Sequence, residues 1–581
     1  MASAATILGW AFVAAGQTQQ WVKQEFYAGV NALDEQTGVV YWQDTQSPFK
    51  RYVYVCGSLT VNQATGATVF ATYRYEVDNP AAFHPPAFFP DPTGGTVTGT
   101  HKAAAITIHA VTGDVIVTGE SDAGGNGRNY ITIKYDKNLD PNPGTPTFVP
   151  WANLPLPNNF GDGVRRFDNA NITNGNDQAR GVAIDPEGRV YVTGSSEGFT
   201  GGVSKNYDIV TIKYDADGTL SSSWPGSDIG GHAHGVRAYN NPNANGSDTA
   251  VGLTLLYEVP QGESGGGWWC YVAGTSYNGP SNGGGTGLDF ITLGYDPDAM
   301  CNAARAPRWS ARHDAAGLDD VATGIAGGEW QTLSAVYTTG WSVIPDPSSL
   351  TGGGGASGAF SASGGSGAAA SSGAPTNVDY ATVAYTSAGA TGSCGQAVAQ
   401  WSPAVRYWSG PGGAYGSDDY AAAVEFAPGS ALPPAHPSYL WVTGKARHGA
   451  GYEAGTILYN ADLGQQLCDH RFSNQNGLES QGNDVATDPP GNIWIAGSCV
   501  QTLTGRFGTL AIRFQYAPPS TTCGVVTGWP KVYQNPAGLG VDSAARLTTT
   551  DAASGPDIFI VGTTYQTVTG QDGLTIRYSV P

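Results

Sequence analysis

The amino-acid sequence predicts an all-β fold, a single β-propeller of four-stranded blades. The 581 residues include 83 Gly and 36 Pro, which interrupt helices and favour short strands joined by turns. A β-rich segment that ends in Gly and a small or hydroxyl residue occurs eight times. The average interval is about 72 residues, because 505 residues separate Gly57 from Gly562 over seven intervals. A long chain with repeats of this length is typical of propellers and related arrays.

Each repeat contains four predicted strands. The second strand ends at the repeated Gly, as in RVYVTGSS at 189–196, and the third alternates apolar and polar residues, as in VTIKYD at 210–215. The fourth often carries Trp, as at Trp309, Trp401 and Trp529. A single sheet buries little surface alone, so we expect sheets stacked around an axis, with small residues allowing neighbouring sheets to approach.

The last repeat ends without a fourth strand, and the N-terminus offers one. The sequence WVKQEFYAG at 21–29 is similar to the fourth-strand sequence WPKVYQNPAG at 529–538. We predict that the strand at 21–27 pairs beside 574–578 and completes an eighth blade, which removes two open sheet edges. The alternative is a seven-bladed ring with an extra unit. Residues 1–581 form one domain on either count, and the Gly/Ala/Ser-rich stretch at 351–376 is expected to be a flexible loop within the fifth blade.

The repeat pattern, Asp-x-Ala followed by VYVTGSS, YDIVTIKYD and Trp, resembles the bacterial secreted β-propeller repeat (SBBP). The resemblance covers roughly residues 20–581. It is weaker in the first two units, where NALDE at 31–35 and HKAAA at 101–105 stand in place of Asp-x-Ala. It implies a propeller and an extracellular or cell-surface location. It implies no reaction, because these repeats form a scaffold without a catalytic motif.

Charge and hydropathy limit the partners. The formal net charge is −20, which disfavours nucleic acid and anionic membranes because both need a basic surface. No uninterrupted apolar segment reaches the length of about 18–20 residues that a transmembrane helix needs, so membrane insertion is not expected.

Repeated aspartates are the clearest candidate site. They open the Asp-x-Ala sequences and are Asp177, Asp248, Asp320, Asp419, Asp484 and Asp542. If they face the axis, they could hold Ca²⁺, which prefers oxygen ligands. The favoured alternative is that each Asp caps the turn before its strand by accepting backbone N–H bonds. A second Asp precedes the third strand in some units, at Asp208, Asp289 and Asp379, with the same two interpretations.

Two further residue types could form a site. His232 and His234 would face one side of a strand and could bind a metal, although a pair of surface imidazoles is the favoured interpretation. The tryptophans near strand ends could line a sugar-binding surface, although packing between blades is favoured; they are Trp268, Trp269, Trp341 and Trp408.

The seven cysteines leave at least one thiol without an intramolecular partner. Cys270 begins a second strand and Cys301 follows the third strand of the same unit, so 270–301 is the predicted disulfide. Four cysteines precede fourth strands and would lie on one rim, where bridges between blades are an option; they are Cys301, Cys394, Cys468 and Cys523.

Three functions remain open at this point. The leading hypothesis is a non-enzymatic, secreted or cell-surface module that binds a protein partner or a surface glycan. The second is a carbohydrate-active lyase or hydrolase at the axial mouth, which a cluster of unlike residues breaking the eight-fold pattern would support. The third is a structural subunit of a surface layer or another large complex.

Overall fold

A computed structural model describes the blades and their short connections, while the rest of the chain lies outside the described residues. The described residues are 4–8, 19–27, 32–44, 50–79, 81–82, 84–90, 97–122, 127–139, 141–142, 145–146, 163–169, 175–198, 206–229, 232–241, 246–258, 266–278, 287–297, 307–315, 318–330, 333–345, 376–386, 398–401, 404–409, 418–429, 437–449, 451–473, 479–488, 491–500, 506–516, 523–535, 542–550, 556–566 and 570–579.

Eight antiparallel four-stranded units make up the fold, and each is a blade. The strands of blades 1 to 4, in order along the chain, are Glu35–Asp44, Lys50–Asn62, Ala67–Glu76 and Ala87–Phe89; His101–Ile108, Val115–Ser121, Asn129–Tyr135 and Val164–Phe167; Asp177–Ile184, Val190–Glu197, Tyr207–Tyr214 and Val236–Tyr239; Asp248–Glu258, Gly267–Tyr277, Leu288–Tyr295 and Trp309–His313. Those of blades 5 to 8 are Asp320–Trp330, Leu333–Pro345, Thr376–Thr386 and Val405–Trp408; Tyr420–Ala427, Tyr439–His448, Gly451–Asn460 and Gln466–Phe472; Ser480–Thr487, Ile493–Val500, Phe507–Tyr516 and the pair Cys523–Val525 and Lys531–Tyr533; Ser543–Thr549, Asp557–Gln566, Gly570–Ser579 and Gln19–Tyr27. None of the described residues forms a helix able to span a membrane.

The blades form a closed ring. The first strand of each blade packs beside the first strands of the preceding and following blades, and the first strand of blade 8 packs beside that of blade 1. The first strands therefore surround the axis. This arrangement confirms the predicted all-β propeller with eight blades, rather than seven with an extra unit.

The N-terminal strand closes the ring. Gln19–Tyr27 pairs antiparallel with Gly570–Ser579, so that Val22 lies opposite Ile576 and Lys23 opposite Thr575. The predicted pairing of 21–27 beside 574–578 is thus confirmed. Blade 8 combines both ends of the described chain, and Ala4–Leu8 adds a further strand outside Gln19–Tyr27. Closure removes the unpaired edge that the last repeat would otherwise leave.

The hydrophobic core lies between neighbouring blades. Trp269 and Trp309 of blade 4 pack with Tyr385 and Val405 of blade 5 in one buried cluster. Trp408 of blade 5 packs against Gly455 of blade 6, where an added Cβ would lie 3.2 Å from the Trp408 ring. The fourth-strand tryptophans are therefore wedges between sheets, where a large apolar ring removes the most surface from water.

One β-bulge recurs in every blade. In all eight pairs of first and second strands the register shifts by one residue at the same place, as between Ala179 and Gly181 in blade 3. The bulge directs a first-strand carbonyl oxygen at the repeated Gly of the second strand. A Cβ on that Gly would overlap the carbonyl in every blade; the eight glycines are Gly57, Gly119, Gly194, Gly274, Gly340, Gly444, Gly497 and Gly562.

The repeated Gly also admits the neighbouring blade. In five blades a Cβ there would meet a third-strand side chain of the preceding blade; these side chains are Phe70, Tyr130, Ile209, Phe290 and Tyr380. The prediction that small residues let adjacent sheets approach therefore holds at these positions. The stronger constraint, the bulge carbonyl, comes from within the blade itself.

A disulfide joins the outer edges of blades 6 and 7. Cys468 lies in the fourth strand of blade 6 and Cys523 in the outer part of blade 7, with their Cα atoms 5.7 Å apart. This is a bridge between blades of the type predicted for the rim cysteines. Cys301 and Cys394 lie outside the described residues, as do residues 351–375 of the predicted loop.

The bulge gives a direct test by substitution. Gly194→Ala should lower the free energy of unfolding by more than about 2 kcal/mol, because the new Cβ must displace backbone on one side and the Tyr130 hydroxyl on the other. Gly524→Ala is the matched control, since a Cβ there meets nothing within 4 Å. Urea unfolding followed by Trp fluorescence measures both variants. Equal stability of the two variants would contradict the proposed role of the bulge.

Candidate functional site at the rim where the first strands begin

Strand register places one residue of each blade in an equivalent buried layer. This residue stands two positions before the bulge, at the start of the first strand. We call the set the aspartate layer; it consists of Asp34, His101, Asp177, Asp248, Asp320, Asp419, Ser480 and Asp542. Five of the six aspartates predicted from the sequence belong to it, and every member is buried.

Hydrogen bonds give the layer a structural role. In blade 3, Asp177 accepts a bond from Ser196 Oγ at 2.6 Å and another from the backbone N–H of Asn169 at 3.0 Å. In blade 8, Asp542 accepts the same pair from Thr564 Oγ1 at 2.6 Å and the Asn535 N–H at 2.8 Å. Each carboxylate thus links the connection from the preceding blade to the second strand of its own blade. These are the bonds that the turn-capping interpretation predicts.

Asp484 is not part of this layer, contrary to its alignment with Asp-x-Ala. In blade 7 the equivalent position is Ser480, and Asp484 follows the bulge. There it accepts the Leu547 N–H of blade 8 at 2.8 Å, and its charge raises the pKa of Glu425 in addition to the larger effect of burial. The sequence signal that was overlooked is SQGN at 480–483, which corresponds to DQAR at 177–180.

The second aspartates lie beside the same layer. Asp208, Asp289 and Asp379 lie near the start of third strands, opposite Ser196, Ser276 and Ser342 respectively. Their bonds are also internal to the fold. Asp379, for example, accepts bonds from Ser409 Oγ and Asn377 Nδ2, each at 2.6 Å. Blade 8 has an equivalent that the sequence analysis missed, Asp572 opposite Thr564.

Burial perturbs the carboxylates of the layer. It raises the pKa of Asp177 to about 7 and that of Asp248 to about 6. Among the second aspartates, burial raises the pKa of Asp379 to about 7. The cause is the loss of hydration, which disfavours the charged form and outweighs the hydrogen bonds that favour it. Several of these carboxyl groups therefore titrate near neutral pH.

Three aspartates come together at the junction of blades 4 and 5. Asp289, Asp314 and Asp320 each offer one carboxylate oxygen, and these oxygens lie within 4.8 Å of one another. Asp289 and Asp320 are buried and Asp314 is exposed. This spacing is compatible with a shared metal ion. Ca²⁺ binding by the layer aspartates stays a prediction. The third group of this cluster, Asp314, follows a fourth strand and has no counterpart in the Asp-x-Ala pattern.

The same rim carries a group of half-buried aromatic rings, which we call the aromatic patch: Trp341 of blade 5, and Tyr420 and Tyr452 of blade 6. Trp341 meets Tyr420 edge to face, with centroids 5.6 Å apart, and Tyr420 lies 6.5 Å from Tyr452. The Lys445 ammonium stands 4.6 Å from the Tyr420 centroid and 4.8 Å from the Tyr452 centroid. The patch is therefore an amphipathic surface with a cation over two of its rings.

The other predicted site residues divide between packing and the opposite rim. Trp269 and Trp408 are buried between blades, as the packing interpretation expects. Trp268 packs on the exposed Tyr257 at the end of the first strand, on the rim opposite the layer. Of the four tryptophans considered for sugar binding, Trp341 alone lies in the aromatic patch.

The histidine pair and the predicted disulfide remain predictions. His232 and His234 lie in a short strand that pairs with Pro225–Ile229, outside the four strands of blade 3. Among the described residues, three potential metal ligands lie within reach of one another only in the aspartate cluster at blades 4 and 5. Cys270 is buried and has no disulfide partner among the described residues, and Cys301 lies outside them.

Residues 170–199, which include the first two strands of blade 3, match a family model described as SBBP, beta-propeller repeat. The chain is a β-propeller, and its third blade matches the SBBP repeat. This confirms the resemblance at the level of repeat and fold, on a match to one of the eight blades. No curated protein matches the sequence.

Several solved structures are similar in shape to this propeller. The polysaccharide lyase Uly1 is 10% identical with a TM-score of 0.38, and the alignment covers 92% of this chain and 89% of that one. An α-L-arabinofuranosidase from Fusarium graminearum is 11% identical with a TM-score of 0.31, over 68% and 91%. Drosophila Semaphorin 1b is 8% identical with a TM-score of 0.32, over 95% and 88%. Likeness this distant carries no argument about activity.

The perturbed aspartates predict how stability depends on pH. The folded pKa of Asp177, about 7, exceeds its ordinary value of 3.8, so the folded state binds more protons between these values. Stability should therefore fall as pH rises from about 4 to 8, by on the order of 3 kcal/mol for this group alone. Asp177→Asn should remove that part of the slope in urea unfolding measured with EDTA present.

A surface aspartate provides the control for this pH experiment. Asp217 is largely exposed, and hydrogen bonds from Thr219 lower its pKa. Asp217→Asn should leave the downward slope of stability with pH in place. A slope in Asp177→Asn equal to that of the unaltered protein would show that the buried carboxyl is not the titrating group.

Proposed function

We propose that the protein is a non-enzymatic binding module that takes a glycan on the aromatic patch. The observation that carries the proposal is a break in the eight-fold pattern at one place on one rim. Tyr420 of the patch lies opposite Lys445 in the first two strands of blade 6, one residue beyond the aspartate layer. Trp341 occupies the corresponding second-strand position in blade 5.

The positions equivalent to Tyr420 and Trp341 carry no aromatic residue in the other blades, whereas the position of Tyr452 carries Tyr207 in blade 3 and Phe507 in blade 7. The first-strand residues there are Glu35, Lys102, Gln178, Thr249, Val321, Gln481 and Ser543, and their second-strand partners outside blades 5 and 6 are Ser58, Glu120, Ser195, Thr275, Ser498 and Thr563. The fold therefore does not need an aromatic ring at this position. Rings retained where architecture does not require them are better explained by binding than by packing.

The chemistry of the patch suits a sugar. Trp and Tyr rings present an apolar face and a polar edge, and a pyranose likewise presents a C–H face and hydroxyl edges. Each of the three rings is half-buried, so it is held by the fold while part of it remains accessible. Three rings cover much less than the roughly 800 Å² that each partner buries in a stable protein complex. A glycan of a few residues is therefore favoured over a protein partner.

A carbohydrate-active enzyme is the second candidate function, because a cluster of unlike residues on one rim is also what an active site would produce. The patch itself consists of aromatic rings, with Lys445 beside them. Carboxylates adjacent in sequence to its tyrosines are already engaged, Asp418 with Arg447 at 3.6 Å and Glu453 with His448 at 2.8 Å. A glycosidase needs one free carboxylic acid and one free carboxylate across the scissile bond. Binding without cleavage is therefore the primary proposal.

We further propose that the protein works outside the cell, in a secreted or surface-attached form. The disulfide between Cys468 and Cys523 supports this location, because such bonds persist in oxidising compartments. The net charge of −20 keeps a Gly-rich surface soluble there. A structural role in a surface layer stays an alternative, and the described residues provide no specific observation in its favour.

An array of neutral and acidic oligosaccharides, followed by calorimetry with the best-bound glycan, tests the proposal. Trp341→Ala and Tyr420→Ala should each weaken binding by about tenfold or more, because each removes a stacking surface worth about 1.4 kcal/mol or more. Tyr565→Ala is the matched control, a tyrosine 41% exposed on the same rim in blade 8. Its affinity should stay within about twofold.

Three outcomes would contradict the binding proposal in different ways. If the protein binds no glycan on the array, the proposed glycan ligand is wrong and a protein partner is favoured. Equal losses in Tyr565→Ala and Trp341→Ala would locate binding outside the patch. New reducing or unsaturated ends in the bound glycan after incubation would instead show that the protein is an enzyme.

A further inference from the structure

A lysine interrupts the repeat beside the aromatic patch. Lys445 lies in the second strand of blade 6, opposite Tyr420, and no other blade carries a cation at the equivalent second-strand position. The residues there are Ser58, Glu120, Ser195, Thr275, Trp341, Ser498 and Thr563. The fold therefore does not need a positive charge at this position.

Ring faces rather than a carboxylate surround the Lys445 ammonium. It stands 4.6 Å from the Tyr420 centroid and 4.8 Å from the Tyr452 centroid. Within the described residues it forms neither an ion pair nor a hydrogen bond. The ring faces attract the positive charge but leave its three N–H donors without an oxygen acceptor. The side chain is half-buried, so part of it remains accessible to a ligand on the rings.

Blade 2 shows the same two positions with a counter-charge from the protein. There Lys102 of the first strand lies opposite Glu120 of the second strand, and Glu120 also pairs with Arg128 at 3.0 Å. In blade 6 the residue opposite Lys445 is Tyr420, which supplies no negative charge. The counter-charge for this lysine can therefore come from a bound ligand.

A second cation lies at the junction of blades 5 and 6. Arg471 occupies the position in the fourth strand of blade 6 that Arg312 holds in blade 4, where Arg312 Nη1 lies 2.7 Å from Asp289 Oδ2. The residue equivalent to Asp289 in blade 6 is Glu453, which bonds the His448 imidazole at 2.8 Å instead. Arg471 consequently has no carboxylate partner in the described part of the chain.

Contacts hold the Arg471 guanidinium near the Tyr452 end of the patch. It lies over the Trp408 ring, 5.2 Å from the centroid, and its Nη1 donates to the carbonyl oxygen of Arg447 at 3.3 Å. Arg447 lies opposite Tyr452 in the second and third strands. The Nε and Nη2 atoms of Arg471 are buried and lack a hydrogen-bond partner among the described residues. Arg471 therefore adds positive charge from beneath the surface, while the half-buried Lys445 is the cation available for contact.

We propose that the aromatic patch takes an acidic glycan, whose carboxylate or sulfate group binds the Lys445 ammonium while its sugar rings contact the patch. This inference rests on the proposed glycan-binding function and names the class of glycan. Both anionic groups carry oxygen acceptors, to which an ammonium donates strong, charge-assisted hydrogen bonds. Because the ammonium lies within contact range of two rings, one sugar residue can touch a ring and the cation at once.

The overall charge of the protein makes this local cation decisive. The net charge of −20 opposes the approach of any anion. A preference for acidic glycans must therefore come from cations at the site itself. Removal of the Lys445 ammonium should abolish such a preference.

Matched pairs of oligosaccharides test the inference on the full-length protein. One set pairs uronic-acid oligosaccharides with their carboxyl-reduced counterparts, and the other pairs sulfated oligosaccharides with their desulfated counterparts. Calorimetry should show the acidic member binding about tenfold or more tightly in at least one set, because charge-assisted hydrogen bonds form only with that member. The set that shows the difference identifies the anionic group.

Substitutions of the lysine separate its charge from its bulk. Lys445→Met retains an apolar stem over the two tyrosines and should reduce the difference within a pair to about twofold or less. Lys445→Arg retains the charge and should keep the preference. Lys102→Met is the matched control, since Lys102 is an exposed lysine on the same rim in blade 2, and it should also keep the preference.

Two kinds of failure are distinguishable. If both members of every pair bind the unaltered protein equally, or if the preference survives in Lys445→Met as it does in Lys102→Met, the acidic class is wrong and glycan binding by the patch stands. If no member of any pair binds, the proposed function itself is wrong, and this inference fails with it.

Discussion

The contact between a bulged carbonyl oxygen and a Cα without a side chain is the constraint on which each blade depends. Because the first strand carries one extra residue at the same place in all eight blades, its carbonyl points at the second strand, and only Gly leaves room for it. The bulge also fixes which side chains face which neighbour. The residue two positions before the bulge belongs to the buried aspartate layer. The next residue lies at the rim, at the position that Tyr420 of the aromatic patch occupies in blade 6.

Much of this fold could be predicted from the sequence, because eight similar sequence units each encode a similar four-stranded blade. The blade count and the closing strand, predicted at 21–27 and observed at Gln19–Tyr27, followed from repeat length and from a missing fourth strand. The bulge could not be predicted, since it is a register shift and leaves only Gly as its trace. Asp484 was misassigned for that reason: its string matches Asp-x-Ala, but register is set by Gly497 opposite Gly482, which puts Ser480 in the layer. The Asp289, Asp314 and Asp320 cluster was missed as a set because it spans two repeats.

Buried carboxylates in a propeller reflect how the blades are connected. The chain leaves the outer edge of one sheet and returns to the innermost strand of the next, so backbone N–H groups are buried where it turns inward. Asp177 and Asp542 satisfy such groups and bond a hydroxyl of the second strand at the same time. Their raised pKa values are the consequence of this burial. Perturbed titration is therefore a property of the repeat, and by itself it identifies no active site.

The eight-fold repeat helps to distinguish structural residues from binding residues, which residue chemistry alone does not do. A feature present in most blades, such as the layer aspartates, is explained by architecture, because each blade faces the same packing problem. A feature present in one blade needs another explanation. One such feature is Tyr420 of blade 6, which lies opposite Lys445 and beside Trp341 of blade 5. These residues occupy the rim where the first strands begin, so binding at this sector can specialise while the other blades preserve the ring.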